Sequence, residues 1–221
     1  MFQALTPIVR LLLYVNLIAY GLEWLTGDRL LLTLALWPVG GDRLYGAPPF
    51  EPWQLVTYSF LHDPKNLMHL IGNMFALCMF GPDAERVLGS RRFVVFYFAC
   101  VIGAGLAQLW VAHALAPGPS ETIGASGGIF GLLLFYGVTF PHRRLVLLFP
   151  PLPWPVPAWL FASLYGVVEL YLGVFGRMQG VAHFAHLGGA ATGLLLILYW
   201  RVVGGARSPP QWPDVTDRRS R

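Results

Sequence analysis

Ile123-Gly124-Ala125-Ser126-Gly127-Gly128-Ile129-Phe130-Gly131 and Ala182-His183-Phe184-Ala185-His186-Leu187-Gly188-Gly189 decide the reading of this chain. Both stretches lie inside runs free of Asp, Glu, Lys and Arg, and each run is long enough to cross a bilayer. Hydrocarbon offers no water to a hydroxyl or an imidazole. Polar groups placed there are expensive and mark functional sites. A serine nucleophile and a histidine base, each on a glycine-faced helix, form the smallest kit for acyl transfer.

Composition sets the context for that kit. The chain has 221 residues, 56% hydrophobic and 12% charged, with a mean hydropathy of +0.57. Soluble domains carry about 25% charged residues, so this chain falls in the membrane class. Its formal charge of +4 reads as positive flanks on membrane helices rather than as a nucleic-acid surface. Two cysteines, Cys78 and Cys100, sit in apolar runs and supply neither a disulfide framework nor a zinc cage. The first apolar run continues to about Leu25 with no small-residue cleavage site after a short core. It reads as a retained membrane helix.

A spanning helix needs about 20 mostly apolar residues. Six segments qualify, at roughly 8–26, 66–82, 92–114, 123–140, 156–175 and 181–201. The fold class is therefore an all-α polytopic membrane protein, a bundle of six transmembrane helices over residues 1–203. Between helices one and two, residues 27–65 carry Trp37, Tyr45, Phe50, Trp53, Tyr58 and Phe60, which suit an interfacial loop. The segment 204–221 is polar and proline-containing and reads as a disordered cytoplasmic tail. Eleven arginines (10, 86, 91, 92, 143, 144, 201, 207, 218, 219, 221) fall on one side; Arg29, Arg43, Lys65 and Arg177 fall on the other. The positive-inside rule puts both termini in the cytoplasm of a cell (inner) membrane. Ser126 then lies about one turn into helix four from its outer end, and His186 one to two turns into helix six, at a common depth.

The residue types fit a hydrolase. Gly124-Ala125-Ser126-Gly127-Gly128 matches a nucleophile elbow, but that pattern needs a strand before it on an open sheet, and the chain offers no sheet. Gly127 and Gly131 also form a small-xxx-small packing pair. Gly189 and Gly193 lie three and seven positions after His186, on a face that lets helix six approach helix four. His69 and Asn73, four apart, share one face of helix two. With the Ser126 backbone N–H they form a candidate oxyanion hole. Phe130, one turn below Ser126, is placed to pack against the imidazole. His183, one turn outward of His186, reads as a packing residue. No acid has a clear claim to complete a triad. Glu85 is at the wrong end of helix two, and Glu169 is a buried acid in helix five without an evident partner.

These motifs resemble the rhomboid family of intramembrane serine proteases, in its minimal six-helix bacterial form. The resemblance covers about residues 8–201. It rests on Gly124-Ala125-Ser126, on Ala185-His186-Leu187-Gly188-Gly189 through Gly193, on His69 with Asn73, and on Gly81, Glu85 and Gly89. It implies a nucleophile at Ser126, a general base at His186 and oxyanion donors at His69, Asn73 and the Ser126 backbone. Gly124, Gly127, Phe130, Gly189 and Gly193 support them. The implied substrates are transmembrane proteins with small residues at the cut, and the surroundings are membrane lipid. No cofactor, metal or nucleic acid is implied. One departure is Trp53-Gln54, where many members carry Trp-Arg. The alternative reading is a catalytically silent rhomboid-like protein that binds membrane clients, although such relatives lack the serine or the histidine. A transporter would show internal repeats, and none is evident.

Overall fold

The computed structural model describes residues 5–39, 47–115, 121–147, 154–175 and 182–204. The tail from residue 205, together with Arg43, Tyr45 and Arg177, lies outside them. The described elements are α1 (Pro7–Thr26), α2 (Asp28–Leu34), α3 (Gln54–Thr57), a 3-10 turn (Tyr58–Phe60), α4 (Leu67–Leu88), α5 (Ser90–Leu115), α6 (Ser126–Thr139), β1 (Arg144–Leu147), β2 (Trp154–Pro157), α7 (Ala158–Phe175) and α8 (His183–Gly204). Helices α1 and α4–α8 are the six expected from the sequence.

Four of them, α1, α5, α7 and α8, are long and apolar enough to cross a membrane. Their outward faces are apolar: Ile18 and Trp24 on α1, Val167 and Phe175 on α7, Leu195 and Val202 on α8 are all exposed. That arrangement is expected where lipid, not water, is the solvent, because backbone groups are satisfied within each helix. α6 differs. It has 14 residues, about 21 Å at 1.5 Å per residue, which is short of the ~30 Å hydrocarbon core. Gly127 through Leu133 are all buried, so α6 is enclosed by the other helices rather than by lipid.

Small residues let these helices touch. Gly131 on α6 lies against Cys100 on α5, and a Cβ on Gly188 would lie 2.9 Å from the Gly103 carbonyl oxygen of α5. A Cβ on Gly193 would lie 3.3 Å from Gly131 Cα, so α6 and α8 meet backbone to backbone. Without a hydrophobic force between helices in lipid, such close van der Waals contact is what holds them. The buried Glu85 carboxylate accepts the Ile8 and Val9 N–H groups at 3.1–3.2 Å and the Ser90 hydroxyl at 2.6 Å. It thereby ties the start of α1 to the α4–α5 junction and satisfies N–H groups that a helix start leaves open.

Four expectations need correction. Helix four begins at Ser126, not 123. Residues 121–125 form a non-helical lead-in, tied by the Leu36–Thr122 pair (N–H to O 3.0 and 2.9 Å) and by Gly124 N–H to Tyr58 O (3.0 Å). Gly124 has φ +119°, a conformation that a side chain rarely adopts and that ends any helical run there. Helix two continues through Pro82 to Leu88. A small antiparallel ribbon, β1 on β2 with Leu145 opposite Val156, joins α6 to α7. Within 27–65, Trp37 and Tyr58 are buried in protein rather than set at an interface.

Candidate active site

Ser126 is the first residue of α6, and His186 lies in the first turn of α8. Sixty residues apart in sequence, their side chains meet: His186 Nε2 is 2.8 Å from Ser126 Oγ. Both helices present their N-terminal turns at this point, so both side chains are closer to a helix start than the sequence placed them. Phe130, one turn along α6, stacks on the His186 ring at 4.2 Å with the planes 6° apart. Tyr165 of α7 backs Phe130 at 5.3 Å. Gly189 brings α8 onto α6: a Cβ there would lie 2.8 Å from the Gly127 carbonyl carbon and 3.2 Å from its Cα.

His69 and Asn73 flank the approach to Ser126. A Cβ on Gly124 would lie 2.8 Å from His69 Nε2 and 3.8 Å from Asn73 Nδ2, so only glycine lets both side chains come this close to the chain leading into Ser126. The Asn73 amide donates to the His69 carbonyl oxygen at 2.8 Å. The Asp63 N–H points at His69 Nδ1 at 3.4 Å, which leaves Nε2 to carry the ring proton. Ser126, His186, His69, Asn73 and Gln108 line one cavity of about 1200 Å³. Beside it, His62 is fully buried and stacks obliquely with His69 at 5.0 Å. Burial, then the neighbouring His69, pushes the His62 imidazole down to about 4.

A profile of the Rhomboid domain matches residues 49–202, well over half of the chain. The chain belongs to the rhomboid family. It is 34% identical over 144 residues to "Rhomboid protein 1, mitochondrial" of Saccharomyces cerevisiae, which covers 64% of this chain and 40% of that protein. It is 31% identical over 152 residues to "RHOMBOID-like protein 4" of Arabidopsis thaliana, covering 66% and 33%. It is 24% identical over 189 residues to "Rhomboid protease GlpG" of Yersinia pestis, covering 86% and 60%. The chain thus spans less than two thirds of the length of each of these relatives. This rhomboid is a multi-pass, helical membrane protein.

For two residues of this rhomboid that the sequence singled out, the contacts appear only in the fold. Glu169 of α7 has a partner after all: its Oε2 lies 2.9 Å from His186 Nδ1 and 2.7 Å from His183 Nδ1. The sequence signal was the uncompensated acid itself, since a carboxylate in an apolar helix requires donors. Spacing along one chain could not say which helix supplied them. The ligand atoms of Glu169, His183 and His186 lie within 4.8 Å of one another, a grouping that also suits a divalent ion. Separations of 2.7 and 2.9 Å, however, are hydrogen-bond lengths that fill the space between the groups. Gln54 is the second. Fully buried, its amide oxygen accepts the Trp37 and Glu51 N–H groups at 3.2 Å each. A neutral amide thus ties the loop together where many members carry arginine.

Proposed function

We propose that this rhomboid is an intramembrane serine endopeptidase that hydrolyses peptide bonds in or near transmembrane segments of membrane proteins. The observation that carries the reading is the 2.8 Å contact between Ser126 Oγ and His186 Nε2, within a fold whose outer surface is apolar. As Oγ bonds the scissile carbonyl carbon, its proton passes to His186 Nε2, and the carbonyl oxygen gains the negative charge. The Ser126 N–H at the start of α6, with the His69 and Asn73 side chains, supports that oxyanion, aided by the positive end of the helix. His186 then returns the proton to the leaving nitrogen as the C–N bond breaks, and water repeats the sequence to free the enzyme. No cofactor, metal or nucleic acid takes part. Partners are transmembrane substrates and membrane lipid. A helical peptide bond must unwind to reach Ser126, so substrates with glycine or proline near the cut are favoured. Both termini face the cytoplasm, and the membrane is the cell (inner) membrane.

Fluorophosphonate labelling of the purified protein tests the reading against a client-binding role. Labelling of the wild type, its loss in Ser126→Ala, and loss of substrate cleavage in that variant to below about one part in a thousand are expected, since alanine suits the packing face but offers no nucleophile. An unlabelled wild type that still binds membrane helices would refute it.

A further inference from the structure

We infer that Glu169 is a positioning residue for the proposed reaction, orienting His186 and setting which of its nitrogens carries the proton; the inference rests on the endopeptidase reading. A carboxylate only accepts hydrogen bonds. Two imidazole nitrogens, His186 Nδ1 and His183 Nδ1, both meet the same oxygen, Glu169 Oε2, at 2.9 and 2.7 Å. Both must therefore carry their protons on Nδ1. Neutral His186 is left with a bare Nε2, and that is the nitrogen 2.8 Å from Ser126 Oγ. The direction of the serine–histidine hydrogen bond follows from Glu169: the hydroxyl donates and the imidazole accepts.

The burial of the group agrees. Glu169 is 6% exposed on an apolar helix whose other faces meet lipid, so an acid there without compensation would be costly. Two N–H donors on one oxygen supply the compensation. His183 is 7% exposed, and its Nε2 has no hydrogen-bond partner among the described residues. Its bond to Glu169 is then what anchors that ring. When Ser126 passes its proton to His186 Nε2, the ring becomes imidazolium and still donates Nδ1–H to Glu169. The carboxylate stays ionised and faces the new positive charge. The proton goes on to the leaving amine nitrogen, and the carboxylate neither gains nor loses one.

A purely structural tie between α7 and α8 is the competing account, and the two separate experimentally. Glu169→Leu removes a buried acid but leaves the Nδ1–H groups of His183 and His186 without an acceptor, so a modest fall in the thermal midpoint is expected, and the fall in kcat must exceed what that loss of stability explains. Loss of the corresponding acid in soluble triads costs about 10⁴ in kcat. Phe130 still holds one face of the ring here, so a fall of roughly 10² or more in kcat is expected, with KM little changed. Glu169→Gln keeps an acceptor oxygen without the charge and is expected to lie between wild type and Glu169→Leu. A strongly downfield imidazole proton resonance is expected in the wild type and absent from Glu169→Leu and His186→Ala. Wild-type kcat in a stable Glu169→Leu, with Ser126→Ala inactive, overturns this inference and leaves the endopeptidase reading intact. A fall in kcat that merely tracks a fall in midpoint, with no Glu169-dependent resonance, also overturns it. A wild type inert to both substrate and fluorophosphonate overturns both.

Discussion

Gly189→Val perturbs the Ser126–His186 contact without altering either of those side chains. The Cβ of residue 189 would stand 2.8 Å from the Gly127 carbonyl carbon and 3.2 Å from its Cα, with the carbonyl oxygen nearer still. Carbon atoms settle at about 3.5–4.0 Å. The obstruction is backbone on both sides, so no rotamer relieves it, and α6 and α8 must part by about 1 Å. Ser126 and His186 sit on those two helices, Ser126 directly before Gly127 and His186 three residues before Gly189. Their 2.8 Å separation would widen to about 3.8 Å, beyond hydrogen-bond reach. A misplacement of that size costs about 10²-fold in rate, and overpacking costs about 1–3 kcal/mol of stability. The assay pairs cleavage of a transmembrane reporter in liposomes with fluorophosphonate labelling and the thermal midpoint in detergent. All three should fall together. Gly166→Ala, where nothing lies within 4 Å of the new methyl, serves as the control and should match wild type or gain stability. Wild-type rate and midpoint in Gly189→Val would refute the claim that this face sets the Ser126–His186 distance.

Asn73→Ala should slow cleavage by roughly 10–10², less than Ser126→Ala does, since other oxyanion donors remain; an unchanged rate in both detergent and liposomes would remove Asn73 from the site. His62 is held near 4 when folded against 6.5 unfolded, so the unfolded chain binds the extra proton. Stability is full above about pH 6.5, falls as pH drops toward 4 and levels below that, by at most about 3 kcal/mol. His62→Leu should flatten the thermal midpoint over that window, and an equal slope in wild type and variant would show that His62 is not its source. A strong chelator should leave the cleavage rate unchanged; a rate lost on chelation and restored by zinc would make Glu169, His183 and His186 a metal site instead.

What the sequence revealed and what it hid follow from the range of the interactions involved. Ser126, His186, His69 and Asn73 were legible because each stands out against apolar surroundings that make a polar group conspicuous. Four of the helices, α1, α5, α7 and α8, were legible because a bilayer demands length and apolarity, both local properties. The misplaced start of α6 had a local signal, Gly124, but glycine occurs on packing faces as well as at positive φ. Its role appears only when His69 and the Tyr58 carbonyl are placed against it. The β1–β2 ribbon lies across a proline-rich stretch, where local propensity argues against strands and only the pairing of Arg144–Leu147 with Trp154–Pro157 creates them. Trp37 and Tyr58 read as interfacial aromatics because residue type cannot separate the membrane surface from a buried pocket of protein. Glu169 shows the limit most clearly. Its partners are 14 and 17 residues away on another helix, and nothing in either helix alone fixes which faces meet. What the sequence did state was a demand: an acid in hydrocarbon needs donors. Each such unmet demand in a membrane sequence is therefore best carried forward as a prediction of an unseen contact. Here the contact that met it joins Glu169 to both His183 and His186.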